Sequence, residues 1–584
     1  MAARDARLEE LLPPDRLSQP TAALTIGCDN LSQVASILKE QGVVAYLAGG
    51  FLRDALLGRP SNDVDLAVAG DPLALARLVA DALGGHYVLL DEALPTARVV
   101  FPDAAADAGL VYFDFCQFRG NDILADLAQR DFTINALALD LQQAIGQLVF
   151  GPWSLVAGTT DHGPRTILDP FGGLADLRAG LIRAVHDGVF LDDPLRLLRA
   201  VRFVAQLGFS IEPHTQALIR RHSALAAQPA GERVLEEIVK ILGAPEAGEH
   251  LRLLDSLGLL TVVIPELNFL RGVSQPQEHY WDVLEHSLQT VSAAERLVDS
   301  LQVGARHSSS HPALASKRPS IRGYGSLEPT LQECLAPTST LPCITGEGRV
   351  GEKLRAHFAE VLAADRPRAI AFKLAALLHD VAKPQTRSVE PDGRIRFINH
   401  QIVGLPIVED ILRRLRLSRR EIAVVLTVIE HHLRPGQLTD DKAPSRLTSR
   451  NGGRDGALEA TVSKRAVYRF FRDTGDEGID VLLLSLADHL ATRGPLLNPD
   501  HWAQHVAMTQ AMLTYYLAPE PAAAPVRLIT GDDILALGVA SGPRVGELLD
   551  QVREAQAAGE VRSREEALAF ARALIRTQIN ADRR

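Results

Sequence analysis

The stretch that decides the fold is LAGGFLRDALLGRPSNDVDLAV, residues 47–68 of the chain. An apolar run ends at Gly49 and Gly50, and a helical pattern follows it. Glycines between a strand and a helix allow backbone N–H groups to approach a phosphate closely, and Arg53 adds positive charge beside them. The pattern therefore predicts an α/β unit whose strand–helix turn binds a phosphate group.

Two aspartates follow on the next strand-like run. Asp63 and Asp65 are separated by one residue, and side chains at i and i+2 of a strand point to the same face of the sheet. Neighbouring carboxylates repel one another unless a cation lies between them, and Mg²⁺ prefers such oxygen ligands. Two such ions would activate an attacking hydroxyl and stabilise a leaving pyrophosphate. Asp114, on a later strand-like run, is either a third catalytic acid or an ordinary acid on a strand surface.

Residues 192–202, DDPLRLLRAVR, predict the start of a helix, because proline suits the first turn and an acid suits the preceding cap. Charged side chains recur every three residues, at Asp193, Arg196, Arg199 and Arg202. A carboxylate beside a guanidinium offers an acceptor next to donors, which matches cytosine and adenine and opposes uracil and guanine. Asp193 and Arg196 could therefore select C and A without a nucleic-acid template, while the other arginines hold the triphosphate or the primer end. The alternative is a salt-bridged amphipathic helix.

A further segment, residues 130–136, reads RDFTINA, in which Arg130 could reach a phosphate and Asn135 could order the loop. Together these segments resemble the class II tRNA nucleotidyltransferase and bacterial poly(A) polymerase family. Residues 169–177, DPFGGLADL, resemble the hinge motif of that family, and residues 231–242 resemble its neck motif.

The resemblance implies a nucleotidyltransferase head, a neck and a body, with tRNA held along its acceptor arm and CTP and ATP as nucleotide donors. It implies Mg²⁺ ligands at Asp63 and Asp65. The nucleotide contacts that we expect are Gly49, Gly50, Arg53, Arg130, Asp193, Arg196, Arg199 and Arg202. The chain departs from the family pattern at Gln129, where a second arginine is common, and at Asp192, where glutamate is usual. The shorter Asp192 keeps the charge but could change the orientation of the base-reading helix.

A second group of metal-ligand residue types follows. LLHDVAK, residues 377–383, places His379 beside Asp380. The full candidate set is His286, His379, Asp380, His400, His431, His432 and Asp488. Their order resembles the HD phosphohydrolase superfamily: the first-metal ligands match His286, His379, Asp380 and Asp488, and the additional ligands match His400, His431 and His432.

Imidazole together with carboxylate favours Mn, Fe, Ni or Zn in this HD-type site, with Mg as a further candidate. A hydroxide bound there would hydrolyse phosphoesters, so we expect phosphodiesterase or phosphatase activity. A His-Asp pair on a helix surface is the alternative interpretation.

The predicted fold class is α+β: a nucleotidyltransferase head with a small mixed sheet, followed by mainly helical neck and body, HD and C-terminal domains. The length of 584 residues predicts roughly three to five domains. The expected boundaries are an N-terminal extension 1–25, the head 26–175, the neck and body 176–275, the HD-type domain 276–517 with a disordered insertion 303–350, and the C-terminal helices 518–584. Residues 518–525, APEPAAAP, predict a linker, and Thr530 predicts the N-cap of the helix that follows it.

Charge, cysteine spacing and the lengths of the apolar runs disfavour several classes of protein. The net charge of −11 disfavours a generic nucleic-acid coat protein, although it is compatible with an enzyme that has a local basic groove. The four cysteines form no C-x-x-C pair, which disfavours a disulfide framework and favours the cytoplasm. No apolar run is long enough to span a membrane, and the first residues lack the apolar core of a signal peptide.

The leading hypothesis is an enzyme that adds nucleotides to the 3′ end of tRNA and carries an appended hydrolase domain. CCA, CC-only and A-only addition are all open, as is the oligomeric state. A poly(A) polymerase is the nearest alternative, and the lack of a long basic tail favours tRNA. A hypothesis of another class is an HD phosphohydrolase whose inactive first domain only binds RNA, which would leave Asp63 and Asp65 idle. A non-catalytic RNA-binding scaffold fits poorly with two complete sets of metal-ligand residues.

Overall fold

The chain forms two compact units, each of which is described by itself. The computed structural model describes residues 5–7, 28–59, 61–92, 95–102, 110–148, 166–306, 348–438, 462–518 and 527–581. The first unit comprises Met1–Pro229 and Leu257–Leu259, and the second comprises Ala230–Ser256 and Leu260–Arg584.

A mixed sheet of eight strands forms the centre of the first unit. Its strands are β1 Asp5–Arg7, β2 Ala45–Ala48, β3 Asp63–Val68, β4 His86–Asp91, β5 Thr96–Pro102, β6 Leu110–Gln117, β7 Ala138–Asp140 and β8 Thr166–Leu168. They lie in the order β1-β8-β7-β2-β3-β6-β5-β4. Strands β3 and β6 are parallel and the other neighbours are antiparallel. Strand β1 falls within the predicted N-terminal extension, so three of those residues pair with the sheet.

The helices of the first unit begin and end at residues suited to those positions. Before α3, the Asp71 carboxylate accepts the N–H groups of Leu73 and Ala74, and the helix ends at Gly84 in the left-handed conformation. The helices are α1 Cys28–Glu40, α2 Gly50–Leu56, α3 Pro72–Leu83, α4 Ile123–Ala128, α5 Leu141–Leu148, α6 Gly173–Ala179, α7 Val189–Asp192, α8 Arg196–Leu207 and α9 Pro213–His222. A short parallel pair, β9 Leu181–Ile182 and β10 Ser210–Ile211, lies among the last of them.

Helix α8 packs against the RDFTINA segment. The ring of Phe203 meets that of Phe132 edge to face, with the centroids 5.7 Å apart, and both rings are buried. This contact is one of those between the head and residues 176–229, which fall in the same compact unit. The boundary after residue 175 stays a prediction.

The second unit is almost entirely helical. Its helices are α10 Gly231–Gly243, α11 Ala247–Ser256, α12 Leu260–Val263, α13 Val283–Arg306, α14 Gly348–Ala359, α15 Arg368–Leu378, α16 Lys383–Thr386, α17 His400–Arg414, α18 Arg419–His431, α19 Arg434–Leu438, α20 Lys464–Thr474, α21 Gly478–Arg493, α22 Pro499–Tyr516, α23 Gly531–Ala536, α24 Pro543–Ala557 and α25 Arg564–Ala581. Two antiparallel strand pairs accompany them: β11 Val361–Ala363 with β12 Arg366–Pro367, and β13 Arg387–Val389 with β14 Ile395–Phe397.

The last three helices have their own small core, which includes Ile534, Leu548 and Val552. The backbone N–H of Thr530 donates to the Asp533 carboxylate at 2.8 Å, which caps α23 as its sequence predicts.

Two segments that the sequence predicts to lack regular secondary structure fall largely outside the described residues. Of the predicted insertion 303–350, residues 303–306 end α13 and residues 348–350 begin α14; the rest lie outside the described stretches. The predicted linker 518–525 lies outside them too, apart from residue 518. The predicted fold class, α+β with a mixed sheet followed by helices, is confirmed. Among the described residues, no helix is long and apolar enough to cross a membrane.

Candidate functional sites

The three predicted acids of the head lie together on two neighbouring strands. Asp65 on β3 is in register with Asp114 on β6, and Asp63 precedes it by two residues on the same strand. Burial raises the pKa of Asp65, and Asp114 and Asp63 act in the same direction, although the backbone N–H of Phe51 donates to Asp65 at 3.3 Å and Arg130 lies nearby. A cluster of hard oxygen atoms of this kind fits Mg²⁺.

A basic side chain that sequence reasoning missed lies against these acids. The Nε and Nη2 atoms of Arg98 donate to the two carboxylate oxygens of Asp114 at 2.7 and 2.8 Å, and Nη2 is 3.7 Å from Asp63. The guanidinium lies 4.7 Å from the ring centroid of Tyr112. Arg98 is the register partner of Asp114 in the antiparallel pair β5–β6. Its only sequence signal was a charged residue inside an otherwise apolar strand.

The paired glycines lie close to Asp65, and Gly49 adopts a backbone conformation that favours glycine. Gly49 has a φ of +76°, and a Cβ atom there would lie 2.6 Å from Nη1 of Arg130 and 3.1 Å from Oδ2 of Asp65. A Cβ atom on Gly50 would lie 3.4 Å from the same Asp65 oxygen. The glycines therefore let the strand–helix turn pass close to Asp65.

Three sequence-predicted residues belong to one hydrogen-bonded chain. Nη1 of Arg53 donates to Oδ1 of Asn135 at 2.8 Å, and Nδ2 of Asn135 donates to Asp131 at 2.9 Å. Arg199 donates to the other oxygen of Asp131 at 2.9 and 2.6 Å. Although burial acts in the opposite direction, Arg199 and Asn135 hold the pKa of the Asp131 carboxyl below its usual range. The sequence did not indicate that Asp131 joins α8 to the turn.

A buried carboxylate anchors Arg130. Asp126, which is 2% exposed, accepts from Nε of Arg130 at 3.0 Å and lies 2.9 Å from its Nη2. The other oxygen of Asp126 accepts the backbone N–H of Arg119 at 3.2 Å and lies 3.4 Å from Nε of that residue. Asp126 therefore connects the arginine beside the acids with a second arginine that the sequence analysis did not select.

The two residues predicted to read the base lie at the start of α8. Arg196 is 8% exposed; its Nη1 donates to the carbonyl of Val189 at 3.3 Å and its Nη2 to the carbonyl of Gln129 at 2.7 Å. Burial lowers the pKa of Arg196. The Asp193 carboxylate accepts the N–H of Leu195 at 3.1 Å. The acid and the arginine thus meet at one helix start, with the guanidinium held by backbone oxygens.

The remaining predicted arginines gather around one aromatic ring. The guanidinium carbons of Arg202, Arg53 and Arg199 lie 4.3, 5.1 and 5.4 Å from the ring centroid of Phe203. Cations are attracted to the face of such a ring. All the residues predicted for nucleotidyl transfer lie in the first unit, in two connected groups around the acids and around the start of α8.

Six of the seven residues predicted for the HD-type site form one cluster in the second unit, in which all but the partly exposed Asp488 are buried. Nε2 of His286 is 3.3 Å from Asp380 and 3.1 Å from Asp488. Nε2 of His379 is 3.1 Å from Asp380, and Nε2 of His400 is 3.2 Å from its other oxygen. The cluster contains three overlapping sets of three residues, and within each set the possible ligand atoms lie within 4.8 Å of one another. The sets are His286–His379–Asp380, His379–His432–Asp488 and Asp380–His400–His432.

The imidazole rings of this cluster are oriented by the backbone. In three of the histidines, Nδ1 donates to a backbone carbonyl three residues earlier in the chain. The pairs are His379 with Ala376 at 2.9 Å, His400 with Phe397 at 2.8 Å, and His432 with Ile429 at 2.7 Å. Three rings therefore present Nε2 to a common point, which is how proteins fix metal-ligating histidines. The mixed imidazole and carboxylate donor set fits a transition metal.

The electrostatics of the cluster favour ionised carboxylates beside imidazoles. Despite burial, His379 and Lys383 hold the pKa of Asp380 well below its usual range, and His286 does the same for Asp488. Burial lowers the pKa of His432 to about 3, so this ring is neutral at physiological pH and keeps a lone pair for a metal. Nζ of Lys383 lies 2.6 Å from Asp380 and donates to Gln275 at 2.7 Å.

The structure does not bring His431 to the cluster. Its ring is half-buried, and the charges that act on its pKa are those of Glu430, Arg434 and Asp473. Adjacent residues of a helix point in directions about 100° apart, so His431 and His432 could not both face the same point. The buried positions Val428 and Val425, four and seven residues before His432, were the signal that selects it.

Comparison with known proteins matches this arrangement. The poly A polymerase head domain matches residues 45–183, the probable RNA and SrmB-binding site of polymerase A matches residues 208–270, and the HD domain matches residues 352–493. The A-adding tRNA nucleotidyltransferase of Deinococcus radiodurans is 32% identical over 534 residues, which cover 90% of this chain and 94% of the relative. The chain belongs to the tRNA nucleotidyltransferase family.

Other relatives of this tRNA nucleotidyltransferase differ in the nucleotide that they add. The CC-adding tRNA nucleotidyltransferase of Thermus thermophilus is 30% identical over 533 residues, covering 90% of this chain and 92% of the relative. In fold, the chain resembles the Thermotoga maritima CCA-adding enzyme complexed with tRNA, with a TM-score of 0.52 and 19% identity over 98% of this chain and 100% of that one. A CCA-adding enzyme in complex with ATP has a TM-score of 0.55 and 19% identity over 99% and 98% of the two chains. The family resemblance deduced from the sequence is confirmed, as is nucleotidyltransferase activity.

Proposed function

We propose that this nucleotidyltransferase adds C, A or both to the 3′ end of tRNA in the cytoplasm, with CTP and ATP as donors and Mg²⁺ as the cofactor. The observation that supports it best is the juxtaposition of Asp63, Asp65 and Asp114 with the turn at Gly49 and Gly50. Acids for a cation and a glycine turn for a triphosphate are the two parts that nucleotidyl transfer requires.

Different residues of the head have different proposed roles in nucleotidyl transfer. Asp63 and Asp65 would hold Mg²⁺, which when bound supplies charge to activate the primer hydroxyl and to stabilise the leaving pyrophosphate. Backbone N–H groups at Gly49 and Gly50 and the guanidinium of Arg130 bind the triphosphate. Asp114 remains a candidate third acid.

At the start of α8, the Asp193 carboxylate accepts the exocyclic amino group of C or A, and Arg196 donates to the neighbouring ring nitrogen. Uracil and guanine would place a carbonyl against the carboxylate and an N–H against the guanidinium. An unpaired buried polar group costs about 1–3 kcal/mol, which supports selection of C and A by these two residues. Arg199 and Arg202 are proposed to contact the triphosphate or the primer end.

The test uses tRNA transcripts that lack CCA, that end in one C and that end in two Cs, each with CTP, ATP or both. Additions that stop at a fixed length support the proposal and identify CC, A or CCA as the product. Long A ladders on any RNA would instead indicate a poly(A) polymerase. Asp63→Asn and Asp65→Asn should abolish addition, while Asp81→Asn, an exposed acid on α3, should not.

A second function is supported by the imidazole–carboxylate cluster. We propose that the HD-type domain is a metal-dependent phosphohydrolase that uses His286, His379, Asp380 and Asp488, with His400 and His432 as additional ligands. Mn, Fe, Ni, Zn and Mg are the candidate metals. Elemental analysis of the purified protein and hydrolysis of a phosphodiester and of cyclic nucleotides test the proposal.

Neighbouring histidines provide a matched pair of variants for that test. His432→Ala should lower the metal content and the hydrolysis together, whereas His431→Ala should leave both unchanged because its ring lies outside the cluster. Equal effects of the two substitutions would refute the proposed ligand set. Normal hydrolysis by a protein without bound metal would refute the metal-dependent mechanism.

A further inference from the structure

Gln129 lies between Arg196, the proposed base-reading arginine, and a second arginine, Arg119. It follows α4, and its backbone carbonyl accepts from Nη2 of Arg196 at 2.7 Å and from Nη1 of Arg119 at 3.3 Å. Two guanidinium groups thus share one oxygen, and the charge of Arg119 contributes to lowering the pKa of Arg196, after the larger effect of burial. This carbonyl is therefore an acceptor that both cations share.

The side chain of Gln129 holds that carbonyl in place. Its Nε2 donates to the carbonyl of Arg119 at 2.7 Å and to that of Ala125 at 3.4 Å. The amide passes over Gly120, whose φ is +109° and whose added Cβ would lie 2.8 Å from the Ala125 side chain. Gln129 and Arg119 therefore form a reciprocal pair, in which each side chain donates to the backbone oxygen of the other.

The opposite side of the Arg196 guanidinium is held by a different element. Nη1 donates to the carbonyl of Val189 on α7 at 3.3 Å, so two carbonyls on separate elements fix the plane of the group. The bond to Gln129 is the shorter of the two. Every residue type has a backbone carbonyl, so the identity of residue 129 acts on Arg196 through the amide side chain.

We propose that Gln129 is a positioning residue for base selection, since its side chain fixes the carbonyl that orients Arg196. The inference rests on the proposed function, in which Arg196 and Asp193 recognise the edge of C or A. A planar guanidinium distinguishes an acceptor from a donor only when its own N–H groups are aimed correctly. Without the amide of Gln129, the guanidinium of Arg196 can turn away from a wrong base. This lowers the free-energy cost of binding uracil or guanine.

Gln129→Met tests the proposal, because it keeps the length of the side chain and removes the amide. The matched control is Gln142→Met, which removes a comparable bond from Nε2 to the Ala35 carbonyl, 2.9 Å long, in the same unit. The measurement is kcat/KM on a tRNA acceptor for each of the four nucleoside triphosphates. A ratio of two such values from one preparation does not depend on the folded fraction.

In Gln129→Met, the preference for CTP over UTP, or for ATP over GTP, should fall about five- to tenfold, as expected for loss of one hydrogen bond. The kcat for the correct nucleotide should stay within about twofold, and Gln142→Met should keep the parental ratios. Gln129→Asn keeps the amide on a shorter side chain, so its selectivity ratios should lie between those of the parent and of Gln129→Met.

Unchanged ratios in active Gln129→Met would overturn the proposal, and so would an equal loss for all four nucleotides, which indicates a purely structural role. A parent protein that adds no nucleotide at all would refute the proposed function, and this inference with it. An active parent with unaltered selectivity in the variant refutes the inference alone.

Discussion

At the scale of single residues, Asp131 shows how the head orders its arginines before any nucleotide binds. The carboxylate accepts from Arg199 on one oxygen and from Asn135 on the other, and Asn135 in turn holds Arg53. A guanidinium that is already fixed loses less conformational entropy when a phosphate arrives. Asp131 is therefore important to function even though it is 6% exposed and need not touch substrate.

Asp131→Asn should lower the stability of the protein in a pH-dependent way. The variant places an amide N–H group against Arg199, and loss of a hydrogen bond between charged groups costs about 2 kcal/mol at pH 7. Because the pKa of Asp131 is lowered in the folded protein, its contribution is present above the ordinary aspartate pKa of about 4 and is lost as the pH falls below it.

Scanning calorimetry of the parent and the Asp131→Asn variant between pH 7 and pH 3.5 measures this difference. The gap in melting temperature should be constant at neutral pH and should shrink at the acidic end. A gap that widens with acidity would contradict the assigned ion pair, and Asp81→Asn provides the control for a surface acid.

The residues that the sequence predicted well are those whose relation is local. Asp63 and Asp65 are two positions apart on a strand, so their common face follows from the geometry of one element. Arg98 was missed because its contact with Asp114 depends on the register of two strands that are joined by residues of uninformative composition. The sequence marked Gln129 only as a departure from the family pattern, because its side chain acts on backbone carbonyls, which every residue type has. Asp126 was missed because its contacts with Arg130 and Arg119 depend on how the chain folds after α4.

At the scale of elements, the close approach of α6 to the RDFTINA segment limits which residue can begin that helix. A Cβ atom on Gly173 would lie 2.1 Å from the carbonyl oxygen of Thr133, and the hydroxyl of Thr133 donates to Asp176 at 2.7 Å. The DPFGG segment therefore determines the position of the loop that carries Asn135. The sequence indicated the segment, but only the contact explains why glycine is required.

Gly173→Ala should destabilise the head by roughly 3 kcal/mol or more, because backbone must move to admit the methyl group. Gly546→Ala is the contrasting substitution: nothing lies within 4 Å of its added Cβ in α24, and helix propensity should make the protein about 0.5–1 kcal/mol more stable. Thermal unfolding and limited proteolysis of both variants measure the effects. Equal stability of the two would show that the contact with Thr133 is not as close as described.

At the scale of the whole molecule, each compact unit contains every residue of its own candidate site. The acids and arginines of the head belong to Met1–Pro229, and the histidine cluster belongs to the stretch Leu260–Arg584. The two groups of motifs also lie in separate parts of the sequence. Contacts between distant segments, such as the packing of Phe203 on Phe132, leave no signal in the order of these motifs.

The two sites should therefore be separable by substitution. His379→Ala combined with Asp380→Ala should remove hydrolysis and metal from the HD-type site while nucleotide addition stays within about twofold of the parent, since no group of the head is altered. Primer extension and phosphodiester hydrolysis, assayed on the same preparation, measure the two activities. Loss of nucleotide addition in a folded double variant would contradict independent sites.

The ion pair between Arg98 and Asp114 has a practical consequence for handling the protein. The acidic strands already carry a positive charge of their own, so part of the repulsion among the three carboxylates is relieved without any added ion. Treatment with EDTA should accordingly silence nucleotide addition without melting the head, and dialysis back into Mg²⁺ should restore it. A preparation stripped in this way can be stored, and reloaded with a spectroscopically visible substitute such as Mn²⁺ when the geometry of the ions is to be measured.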